Sequence, residues 1–135
     1  MPYFIWEDNL SVGVKDFDDE HKVLISYINK LHMALISGEA AESVYGILDG
    51  LVEYTEKHFG HEEKLMESED YPGLPGQIKE HEVFVDKIRG FKKQMEAGKI
   101  NFSLELMAFL RDWLMNHIKV VDKAYSEFFS KKGII

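Results

Sequence analysis

The sequence predicts an all-α fold: an antiparallel up-down-up-down four-helix bundle behind an extended N-terminal arm. Three observations predict it. Apolar residues recur at intervals of three and four along four long stretches, the spacing of a helix with one buried face. Breakers separate the stretches: Gly38, then Tyr71-Pro72-Gly73 with Pro75-Gly76, then Gly98. No stretch shows the alternation of a half-buried strand. The breakers are short, and short connections make neighbouring helices run antiparallel.

Residues 1–17 form the arm, which carries Trp6, Val12 and Val14 and is punctuated by Gly13. The first helix spans 18–37. Asp18 or Asp19 caps it, with acids crowding its first turn where the helix dipole favours them. Its inner stripe is His21, Leu24, Ile25, Ile28, Leu31 and Leu35, and it stops at Gly38. The second helix spans 41–67, with Val44, Ile47, Leu48, Leu51, Tyr54, His58 and Glu62 on one face. Gly46, Gly50 and Gly60 weaken it by roughly 1 kcal/mol each, and a glycine there can admit a close neighbour. The third helix spans 76–97, with Ile78, His81, Val85, Ile88 and Met95 inside. The fourth spans 102–130, capped by Asn101 or Ser103. Its stripe is Met107, Leu110, Leu114, His117, Val121, Tyr125 and Phe128.

The 135 residues suit one domain, and a hydrophobic content of 45% suits a globular one. A net charge of −8 argues against nucleic acid and anionic membranes as partners. No apolar run approaches the roughly 20 residues of a membrane span. The first ten residues hold Glu7 and Asp8 and lack a basic and then apolar leader, so no signal peptide is expected. Cysteine is absent, which excludes disulfides and fits a cytoplasmic protein.

His58 and Glu62 lie four apart, one turn above the other on the apolar face. A carboxylate buried there must be paired, hydrogen-bonded or bound to a metal, and no Lys or Arg shares the stripe. His21 is near the start of the first helix, His58 near the end of the second, and His81 near the start of the third. His117 is in the later half of the fourth. In an up-down bundle these positions are level. One histidine on an apolar face is usually a satisfied core residue, but four in one layer with Glu62 point to a metal site. Imidazole with carboxylate and no thiolate suits iron, zinc or manganese. His32 lies eleven residues beyond His21, about 16 Å along the axis, and reads as structural. Asp16, Asp18 and Asp19 read as caps and solvated charge. Asp122 follows His117 by five residues, about 140° round an ideal helix, and on spacing alone it reads as solvated. A local π-type turn would bring both onto one face.

The chain resembles the hemerythrins, and within them the bacterial single-domain hemerythrins. The resemblance runs nearly end to end. It rests on Trp6; Asp18-Asp19-Glu20-His21-Lys22; His58-Phe59-x-x-Glu62-Glu63-x-Leu65-Met66; Tyr71-Pro72-Gly73; Glu80-His81-x-x-Phe84; and Trp113-Leu114-x-x-His117-x-x-x-x-Asp122. It implies a cofactor of two iron ions, bridged by an oxo or hydroxo group and two carboxylates, with O2 bound reversibly at one iron. By position, it implies that Glu62 and Asp122 are the bridging carboxylates, which makes Asp122 a ligand. It assigns His21 and His58 to the iron with an open position, His81 and His117 to the other, and Trp113 and Leu114 to the oxygen pocket. Where the family has a further histidine ligand, four residues before His81, this chain has Gln77. It also has His61, where the family has no ligand. Two readings stand: His61 substitutes for the missing imidazole, or His61 faces solvent and the site lacks one ligand.

The expected function is therefore reversible binding of O2 or a related small ligand, for storage, delivery or sensing, rather than catalysis. The alternatives are a diiron peroxidase or iron-oxidising enzyme, a metal-dependent sensor module, and a metal-free bundle. No protein partner is indicated.

Overall fold

The computed structural model describes residues 3–38, 40–97 and 104–134. These hold a 3₁₀ turn at Asp8–Leu10 and the helices α1 (Lys15–Ile36), α2 (Ala41–Ser68), α3 (Leu74–Glu96) and α4 (Leu104–Asn116). A π-helical turn, His117–Asp122, follows, and then α5 (Lys123–Lys131). Residues Asn116 and Lys123, at the two edges of the π turn, are both helical, so α4 runs through it into α5 without a break. Among the described residues there is no strand. α1 packs on α2, α2 on α3, α3 on α4, and α4 on α1. That ring of neighbours encloses one core. No helix among the described residues is long and apolar enough to cross a membrane.

α1 starts at Lys15, earlier than the sequence suggested, and neither Asp18 nor Asp19 caps it. The Asp18 carboxylate is engaged by the preceding segment: it accepts from Ser11 Oγ at 2.5 Å and from the Val12 backbone N–H at 2.8 Å. Asp19 instead pairs with Lys15 at the surface. The segment before α1 is tied down along its length. Asn29 bonds both backbone groups of Phe4 at 2.8 Å, and Lys123 Nζ donates to the Ser11 carbonyl at 2.6 Å. Phe4, Leu10, Val12 and Val14 are buried.

α1 ends at Gly38, whose φ of 67° is left-handed and suits glycine. Pro75 sits in the first turn of α3, where its missing N–H costs nothing. Of the glycines in α2, only Gly50 marks a close approach. A Cβ there would meet Tyr27 Cε1 of α1 at 3.1 Å, whereas Gly46 and Gly60 have nothing within 4 Å. The expected stop at Gly98 and the expected caps Asn101 and Ser103 lie outside the described residues.

The π turn changes the stripe of the last helix. Regular 3.6-residue spacing put Val121 and Phe128 inside, but Asp122 and Phe129 are the buried residues. A π turn absorbs one extra residue, which rotates the following helix so that Asp122 and Phe129 come inside in place of Val121 and Phe128. Tyr125 stays inside in either register.

Candidate metal centre

Four helices each bring polar side chains to one layer. α1 supplies His21 from its second turn, and α2 supplies His58 and Glu62. α3 supplies His81 with Gln77 one turn before it, and the π turn supplies His117 and Asp122. None of the seven is more than 3% exposed. Two groups of donor atoms are close enough to share a cation: His21, His58 and Glu62, and Glu62, His81 and His117. Glu62 belongs to both. Asp122 spans the same two groups: Oδ1 lies 3.0 Å from His117 Nε2 and Oδ2 lies 3.3 Å from His21 Nε2. Glu62 Oε1 lies 3.2 Å from His58 Nε2 and 3.4 Å from His81 Nε2.

The outer nitrogens of His58 and His81 are held by acids from other helices. His58 Nδ1 bonds Glu20 Oε1 at 2.6 Å, and His81 Nδ1 bonds Glu63 Oε2 at 2.7 Å. His117 Nδ1 stands 3.7 Å from Glu80 Oε1. An Nδ1–H donated outward leaves Nε2 aimed inward, the arrangement that orients a ligating histidine. Aromatic rings fix the same imidazoles. Phe59 stacks on His81 at 3.7 Å and 3°, and Trp113 stacks on His117 at 4.5 Å and 11°. Tyr125 donates its hydroxyl to Glu62 Oε2 at 2.5 Å.

Several polar atoms of the layer have no hydrogen-bond partner. Among the described residues, the buried side-chain polar atoms without a hydrogen bond are His21 Nδ1 and Nε2, His58 Nε2, Glu62 Oε1, Gln77 Oε1, His117 Nδ1 and Asp122 Oδ2. All seven belong to this layer. Buried polar atoms are almost always satisfied, so a cluster of exceptions in one place calls for a bound group. The donors are imidazole and carboxylate, which fits iron.

The imidazoles and carboxylates of the layer shift one another's titration. Burial opposes charge on His58, but Glu62 and the bonds to Glu20 and Glu62 outweigh it and hold the group at about 10. His21 and His117 are also raised against burial, His21 by Asp122 and Glu62, and His117 chiefly by Asp122. Burial works against the Glu62 carboxylate too, yet His58, His21 and His81 keep it well below its usual range. Burial and the charges of Asp122 and Glu62 push the Tyr125 phenol well above its ordinary value.

His61 is not brought into the layer. Its side chain is 48% exposed and its Nδ1 bonds Glu20 Oε2 at 2.7 Å. The reason is angular: Glu20 of α1 sits over the edge of α2, and His61 shares that carboxylate with His58 from the solvent side. Of the two readings left by the sequence, the geometry matches the solvent-facing one. His32 stacks on Tyr3 at 4.4 Å, away from the layer, as a structural residue would. The sequence reading missed Glu20, Glu63, Glu80 and Tyr125. A buried phenol needs an acceptor, and Tyr125 lies one turn after Asp122, which was the available signal. The acids carried none, because each contacts a histidine on a different helix.

The sequence profile of the hemerythrin HHE cation-binding domain matches residues 12–128. The chain belongs to the hemerythrin family. It is similar to the bacteriohemerythrin of Stenotrophomonas maltophilia (strain R551-3), 36% identical over 127 residues, or 94% of this chain and 82% of that protein. It is also similar to the myohemerythrin of Sipunculus nudus, 30% identical over 90% of each chain. A crystal structure of wild-type hemerythrin superposes with a TM-score of 0.86 at 31% identity, covering 93% of this chain and 96% of that one. The hemerythrin match spans all the helices that furnish the layer.

Proposed function

We propose that this chain is a non-haem diiron protein that binds O2 reversibly. Its frame would be an antiparallel up-down-up-down bundle with an N-terminal arm. The single observation that carries the reading is the layer of unsatisfied imidazole and carboxylate atoms. In the same layer the donor atoms of His21, His58 and Glu62, and of Glu62, His81 and His117, form two groups that share Glu62. Membership of the hemerythrin family supports the choice of metal and ligand.

His21 and His58 would hold one iron, His81 and His117 the other, with Glu62 and Asp122 across both. Bound iron would supply the redox chemistry and an open position for a small ligand. The protein does the rest. Glu20 and Glu63 fix the imidazoles through their outer nitrogens. Tyr125 holds one oxygen of Glu62. Leu114, buried one turn before His117, and the Trp113 ring stacked on His117 keep water away from the layer. A dry pocket favours carriage of O2 over its reduction, because proton delivery is slow there.

The test is the visible spectrum of the iron-loaded protein, reduced under argon and then exposed to air. Bands that appear with O2 and vanish on degassing are expected. Irreversible bleaching with catalytic consumption of hydrogen peroxide would overturn the carrier reading in favour of an enzyme.

A further inference from the structure

Gln77 is only 2% exposed and sits one turn before His81. Its Nε2 donates to Asp122 Oδ1 at 3.1 Å and to the Val121 carbonyl at 3.4 Å. Both partners are acceptors, so the amide must face them with its nitrogen. That leaves Oε1 buried and without a donor.

The distances place this amide among the donors. His81 Nε2 and His117 Nε2 are 3.2 Å apart, and His117 Nε2 and Asp122 Oδ1 are 3.0 Å apart. Cis donors on an octahedral ion with bonds of ~2.1 Å stand about 3.0 Å from one another. The amide terminus, 3.1 Å from Asp122 Oδ1, keeps the same spacing. The last torsion of glutamine is broad and two-fold, so a half-turn exchanges nitrogen and oxygen without moving the rest of the side chain.

We propose that Gln77 is a metal donor through its side-chain carbonyl oxygen, completing the pocket of His81, His117, Glu62 and Asp122. This rests on the reading of the layer as a metal site. Without a cation, the amide nitrogen serves the Asp122 carboxylate. With one, Asp122 Oδ1 gives its charge to the metal, and the amide turns so that Oε1 gains the partner it lacks. The pocket then has two imidazoles and otherwise oxygen. A neutral carbonyl is a harder and weaker donor than imidazole, and oxygen donors suit manganese. This pocket therefore holds its ion less tightly than it would with histidine at position 77, and it tolerates manganese(II) better.

The experiment titrates the metal-free full chain with cobalt(II), followed by absorption, and with manganese(II), followed by paramagnetic resonance of the free ion. The chains are wild type, Gln77→Leu, Gln77→Glu and Gln77→His, each checked for helicity by circular dichroism. Wild type should take two cobalt ions. Gln77→Leu should bind the second about tenfold more weakly or worse. Gln77→Glu keeps an oxygen at the same reach and should bind it at least as tightly as wild type. Gln77→His should favour cobalt over manganese more than wild type does. Unchanged binding by Gln77→Leu would overturn the proposal. So would a loss in Gln77→Glu equal to that in Gln77→Leu, since glutamate lacks the N–H that serves Asp122 but retains the oxygen. A wild-type chain that bound no cation would overturn the metal-site reading itself, and this proposal with it.

Discussion

Loading the centre should stabilise the fold strongly, and more so as pH rises. Each ion supplied at 100 times its dissociation constant adds ~2.7 kcal/mol, so two add roughly 5 kcal/mol. For 135 residues the entropy of unfolding is ~0.28 kcal/mol/K, which converts that gain to a rise in Tm of about 20 °C. The pH effect follows from His58, whose folded pKa is raised from 6.5 to about 10. A raised pKa means that the proton stabilises the metal-free fold. That contribution, up to ~5 kcal/mol, is fully present below about pH 6.5 and is lost as pH climbs through about 10. A metal must displace this proton. Its binding constant should therefore rise close to tenfold per pH unit between about pH 7 and 9 from this group alone. The assay is differential scanning calorimetry with zinc(II) as a redox-silent ion, with and without chelator, across that range. The gap between the two melting temperatures should widen with pH. Equal melting temperatures, or a gap independent of pH, would refute the reasoning.

Three substitutions test the parts. Glu62→Ala should reduce loading from two ions to at most one, because Glu62 belongs to both donor groups; two ions per chain by elemental analysis would refute its shared role. Leu114→Ala should cost roughly 2–5 kcal/mol in urea melts. It should also speed autoxidation of the iron-loaded chain, and an unchanged rate would remove Leu114 from the pocket wall. His61→Ala should leave both the ion count and the visible spectrum unchanged, since His61 bonds Glu20 from the solvent side with its side chain 48% exposed; a lost ion would restore it as a ligand.

The helices and the histidine layer were legible because both depend on local periodicity. His21, His58 and His81 fall at inward positions of regular helices and His117 at the entry to the π turn, where the regular stripe still holds, and short breakers put those positions level. Asp122 was not legible from spacing. It comes inside only because the helix takes a π turn, and nothing in His117–Asp122 announces one. There the resemblance carried what periodicity could not. The start of α1 was misread for a related reason. Asp18 looked like a cap, but its partners Ser11 and Val12 come from the segment before α1, a contact that helix periodicity does not describe. His61 shows the limit of counting. One histidine lost at 77 and one gained at 61 suggested exchange, yet the α2 positions three residues apart, His58 and His61, fall on opposite sides of the Glu20 carboxylate.

The glutamates behind the imidazoles also bear on how a cation arrives. Glu20 and Glu63 hold their histidines from the outside and Glu80 stands 3.7 Å from His117, with 18%, 30% and 40% of the three side chains exposed. They thus present a rim of negative charge at the same end of the bundle as the buried donors, on a chain already at −8. Such a rim raises the local concentration of divalent cations and speeds their capture. Capture should slow as salt shortens the screening length from about 30 Å at 0.01 M to about 8 Å at 0.15 M. Stopped-flow mixing of metal-free protein with cobalt(II) measures it directly, and a rate constant independent of ionic strength would show that entry is governed by opening of the bundle instead.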